Sequence, residues 1–172
     1  MEEREERLSL LDLAIADYDR AIELAEDKEA KALCLRNRAG TYIELERLRE
    51  AEEDLEEARR LEPEHPYLFA RYGQLHLWRG EFKRAIAMCR EAQERGLKGA
   101  WVQFKLALAT LCQGRLEEAK KEYGRGVEMA DREDLEGAIE DLERMLAKRP
   151  GLEGAEEIMR MLRKGLEHGG TE

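Results

Sequence analysis

Apolar residues recur along most of this chain at intervals of three and four, the spacing that lines one face of an α-helix. The last such stripe is Leu152, Ala155, Met159, Leu162 and Leu166. The pattern breaks where turn-forming residues stand, at Pro63 and Pro66, at Gly80, at Gly114 and at Pro150. Ala, Leu, Glu and Arg dominate and valine is scarce, which favours helix over strand. The stripes and breaks predict helices over about 3–26, 31–46, 48–61, 66–79, 82–95, 100–113, 116–130, 132–148 and 152–167.

A second period lies over the first. Ala51, Ala85 and Ala119 stand 34 residues apart, as do Ala39, Gly73 and Ala107. Leu48, Phe82 and Leu116 keep the same step, as do Leu55, Cys89 and Tyr123, and Ala58, Ala92 and Gly126. Gly80 and Gly114 mark equivalent turns, and Glu46 holds the matching place in the first unit. Small residues at facing positions let two antiparallel helices approach closely, while larger side chains fill the space beside them. Each pair leaves an apolar face that only the next pair covers, so the units must stack.

The stretch Leu35-Arg36-Asn37-Arg38-Ala39-Gly40-Thr41-Tyr42, followed by Ala51, Leu55, Ala58 and Pro63, resembles the tetratricopeptide repeat family. The second unit departs from it at His76 and Leu97, and the third at Thr110 and Asp131. The resemblance implies an all-α, right-handed solenoid of antiparallel helix pairs, about three full units with capping helices. We expect one domain over 1–172, with full repeats at 32–65, 66–99 and 100–133. Residues 1–29 read as a preceding half-repeat, because Ala14, Tyr18 and Ala21 repeat the spacing of Ala51, Leu55 and Ala58. Residues 134–150 read as a further second helix without its first, with Pro150 in the place of Pro63. Residues 151–168 read as a cap over the last unit.

Charge narrows the partners. The formal net charge is −10, which disfavours nucleic acid and anionic membranes. No apolar run has transmembrane length, and the charged start Met1-Glu-Glu-Arg-Glu-Glu-Arg lacks the apolar stretch of a signal peptide. Cys34, Cys89 and Cys112 are odd in number and far apart, which fits reduced thiols and a cytoplasmic location. There is no HExxH, phosphate loop or GxSxG. His65, His76 and His168 lie far apart and share no ligand spacing with the cysteines. His65 is expected in a solvated turn, and His76 in the place of a packing aromatic. We expect no metal, no cofactor and no enzyme activity. Gly126 falls in the small-residue column, where close packing explains it, whereas Gly124 has no such reason.

By the resemblance, the first helix of each pair lines a concave surface and carries the ligand contacts. The candidate partner-binding residues are Arg36 and Asn37 in the first unit, Tyr67, Arg71, Gln74 and Trp78 in the second, and Trp101, Phe104 and Lys105 in the third. Asn37, Arg71 and Lys105 form a polar-to-basic column at the 34-residue step, with aromatic side chains around it. In an acidic chain that column points to an acidic ligand, and the aromatics point to apolar anchors on it. For Phe104 and Leu108 packing under the last helices is the competing reading, and for Arg71 and Lys105 simple solvation. One well-known subclass clamps the terminal carboxylate of chaperone tails with a set of Lys, Asn, Asn, Lys and Arg. Arg36 stands for its first cation, but Gly40 occupies a place where an Asn is wanted, so that role is not expected. The function expected is a monomeric scaffold that binds a protein or peptide. The alternative is the C-terminal regulatory or sensor piece of a larger signalling ATPase or protease; a designed repeat protein is a third, disfavoured by the irregular columns and scattered cysteines.

Overall fold

The computed structural model describes residues 2–168, with side chains from residue 5 onward. Among them are nine helices and no strand. They are α1 (Glu2–Leu24), α2 (Lys28–Glu44), α3 (Leu48–Leu61), α4 (Pro66–Trp78), α5 (Phe82–Glu94), α6 (Ala100–Cys112), α7 (Leu116–Met129), α8 (Arg132–Lys148) and α9 (Ala155–His168). The sequence-predicted spans differ only at the ends, for local reasons. Asp27 caps α2 by accepting from the Ala30 amide at 2.7 Å, so that helix starts earlier than 31. Gly154, at φ 80°, delays α9 past 152. His65 is a half-buried cap rather than a solvated turn residue: its Nδ1 accepts from the Tyr67 amide at 3.3 Å, and Pro66 opens α4.

Helices α2/α3, α4/α5 and α6/α7 pack as pairs. First helices touch in series, α2 on α4 and α4 on α6, while α3 and α5 each lean on the first helix that follows. The small-residue columns sit at these contacts. Ala39, Ala51, Ala85, Ala107 and Ala119 have no exposed surface. Leu55, Cys89 and Tyr123 fill the space beside them at 1% exposure or less. A Cβ on Gly126 would run into the Phe104 ring, so close packing does account for that glycine. Nothing lies near Gly124 that requires one.

The end of the stack corrects one expectation. Helix α8 packs on α6 and on α9, and α9 packs on α7. Helix α8 thus lies beside α6 as one first helix lies beside the next, and α8 and α9 form a fourth pair, joined to α7 through α9 rather than through α8. The 134–150 segment has the residue spacing of a second helix but takes the place of a first. The cause is local: Asp131 and Asp134 form a reciprocal capping box that starts α8 directly after α7. Its face of Leu135, Ala138, Leu142 and Met145 is then buried. At the other end, α1 packs on α2 and leaves Leu10, Leu13 and Leu24 exposed.

The thiols make a simple check of this packing. Burial lifts the Cys89 thiol to about 12 and the Cys112 thiol to about 11, so both stay protonated and shielded at neutral pH. Cys34 is partly exposed. In native protein at pH 8, a thiol reagent should modify one cysteine rapidly and the other two only on unfolding. Rapid modification of all three would contradict the packing.

Candidate functional site

The first helices, with α1 and α8, enclose a cavity of about 980 Å³. Arg71, Gln74, Trp101, Phe104 and Lys105 line it, so five of the nine sequence-predicted residues converge. A smaller cleft of about 230 Å³ opens beside it between Tyr67, Leu97, Lys98, Gly99, Trp101 and Val102, with Arg71 shared between the two. Its lining holds two cations and no carboxylate.

The basic column looks different once its partners are known. Lys105 is buried and ion-paired to Asp141 of α8, so it is an internal pair rather than a surface charge. Arg71 has only a hydrogen bond from Nη1 to the Gln74 amide oxygen at 3.0 Å and the Trp101 ring 4.8 Å beneath its guanidinium. No carboxylate among the described residues pairs with it. Burial pulls the Arg71 guanidinium below its ordinary range, and Glu44 acts the other way. Gly40 makes room for it, because a Cβ there would lie 2.8 Å from Arg71 Cζ. The glycine that removes an expected Asn therefore seats a cation. Asn37 is half-buried near the start of this column.

Three of the candidates are almost wholly buried. Arg36 is buried and paired to Glu62 at 2.5 Å, which corrects its place on the exposed stripe. Trp78 is buried with the Arg144 guanidinium 3.9 Å from its ring centroid. Phe104 is 3% exposed and packs against Tyr123 and Gly126 of α7, in its own unit, rather than under the last helices. His76 is half-buried, bonded to Glu81 at 2.5 Å and stacked on Tyr72. Its imidazole holds the Glu81 carboxyl below the usual range.

Residues missed in the sequence are Leu97 and Lys98 in the cleft and the acidic face of α8. Leu97 was visible only as a departure from the proline of the first unit. The lining of the large cavity carries eight carboxylates, including Glu44, Glu133, Glu136 and Glu140, against four cations. The large cavity is thus acidic overall, whereas the charged residues of the small cleft are both cations.

Among the described residues, no group of His, Cys, Asp and Glu is arranged to hold a metal, and no helix is long and apolar enough to cross a membrane. A family model described as tetratricopeptide repeat matches residues 42–99, from inside α2 through α5 to the turn before α6. That stretch is a tetratricopeptide repeat match. No curated protein matches it. Tetratricopeptide repeats are non-catalytic scaffolds that mediate protein–protein interaction. The matched stretch ends at Gly99, in the wall of the small cleft, and contains Tyr67, Arg71, Leu97 and Lys98.

Proposed function

We propose that this chain binds a peptide segment of a partner through the small cleft, with an acidic group of the ligand on Arg71 and an apolar side chain between Tyr67 and Trp101. The observation that carries the reading is the Arg71 guanidinium: half-buried, positioned by Gln74 and Trp101, and without a carboxylate of its own. A planar fork of donors in that state suits a carboxylate, which it holds through two parallel hydrogen bonds. Lys98 adds a second positive charge, and Tyr67 offers half of its surface as an apolar contact. The acidic cavity next door repels an acidic ligand and so directs it to the cleft.

Arrayed peptides of Glu and Leu should bind better than their Gln-for-Glu counterparts. Arg71→Gln should weaken the Glu-containing set by roughly tenfold, the scale of a lost charge-assisted hydrogen bond, with helicity unchanged. Equal binding of the Glu and Gln peptides, or indifference to Arg71→Gln, would overturn the reading. Lys105 is unsuited to such a test, because its removal strands Asp141 and reports on folding.

A further inference from the structure

We infer that Glu46 is a latch that joins the first unit to the fourth and closes the concave cavity, whatever ligand that cavity accepts. The turns after α2, α4 and α6 each need one residue in the left-handed region. Gly80 and Gly114 fill that place at φ 77° and 76°, and glycine is the residue that adopts it without steric cost. The first unit has Glu46 there, at φ 59°. A glutamate gains nothing from the turn itself, so its side chain must supply the reason.

That side chain reaches α8. The Glu46 carboxylate accepts Lys148 Nζ at 2.9 Å and lies 3.4 Å from Arg144 Nη2. Arg144 also donates to the Ile43 carbonyl at 3.0 Å and covers the Trp78 ring at 3.9 Å. Its guanidinium is therefore held by a carbonyl, a carboxylate and an aromatic face drawn from two units. The two cations pull the Glu46 carboxyl below its usual range, Lys148 most. Arg7 of α1 and Glu140 of α8 make a second bridge at 2.8 Å, but both are more than half exposed, and such a pair holds little. The three groups around Arg144 thus form the firmer of the two closures. A ligand longer than the cavity has to displace this contact to lie along the first helices.

The closure is weak enough to open. An ion pair this exposed is screened by salt. The latch is therefore expected to respond to ionic strength as well as to ligand.

Spin labels test this on the full chain without any ligand. In a Cys34→Ser background, Arg49→Cys and Ala147→Cys place one label beside each end of the closure, at exposed sites. At low salt the label-to-label distance should form one narrow population. Glu46→Lys should add a longer population that dominates, and 1 M salt should shift the parent the same way. Glu46→Gly should open the closure in part, because Ile43 and Trp78 still hold Arg144, while the melting temperature stays level or rises as the turn relaxes. A distribution that stays narrow and unshifted in Glu46→Lys, with helicity retained, would overturn the inference. So would one that opens no further in Glu46→Lys than in an Arg49→Glu control, in which Cys moves to position 53.

Discussion

A chain ended at Pro150 binds a hydrophobic dye, self-associates and melts about 10 °C or more below the parent. The expectation follows from what α9 covers. Ile158 and Leu162 are fully buried, and Ala155 is nearly so. Gly165 brings the helix so near its neighbours that a Cβ there would lie 3.1 Å from Val127 and 3.3 Å from Leu135. Gly154 rests on Leu116 in the same way. Fully burying an aliphatic side chain is worth about 1.5–3 kcal/mol. Losing the three or four that α9 contributes, and wetting the Leu135, Leu142 and Met145 face of α8, removes a large share of the roughly 5–15 kcal/mol that holds a domain folded. At about 2–4 °C per kcal/mol for a chain of this size, the fall in melting temperature exceeds 10 °C. Dye fluorescence, sedimentation and thermal unfolding of the shortened chain measure it. A monomer with the parent's melting temperature would show that α9 is an appendage.

Ala85→Leu costs about 1–3 kcal/mol and lowers the melting temperature by several degrees. Ala85 has no exposed surface, and its carbonyl lies against Gly73 where α4 meets α5. A Cβ on Gly73 of the facing helix would lie 2.6 Å from Cys89 Sγ and 3.4 Å from the Ala85 carbonyl, so the two helices leave no room for a branched side chain. The added carbons have to push α5 off α4, and that displacement passes to α6, on which α5 also packs. Urea unfolding at constant slope gives the change directly. An unchanged midpoint would place this column at the surface.

The helix pairs were legible in the sequence because their contacts lie within 34 residues and the small side chains that make them recur. Ala39, Ala85 and Ala119 show their burial by their periodicity alone. The site was legible only in part. Arg71, Trp101 and Tyr67 could be placed on one surface from their register. The pairing of Lys105 with Asp141, and the cover of Arg144 over Trp78, could not. The first depends on α8 lying beside α6, and the second on α8 reaching past α6 to α4 and the turn after α2. Repeat register describes a unit and its neighbour, and the reach of α8 is a property of the whole. For the same reason α8 read as a second helix: its spacing resembles one, and only the packing partners distinguish the two roles.

A stack in which each pair touches only the next is a line with two free ends, and thermal opening starts at either end and spreads inward. The contact of Arg144 and Lys148 with the first turn, about 100 positions back in sequence, turns that line into a loop. Fraying of the last pair then releases the first, and fraying of the first frees α8. The two ends should therefore exchange their amide hydrogens at matched rates, with protection rising towards α4 and α6 in the middle.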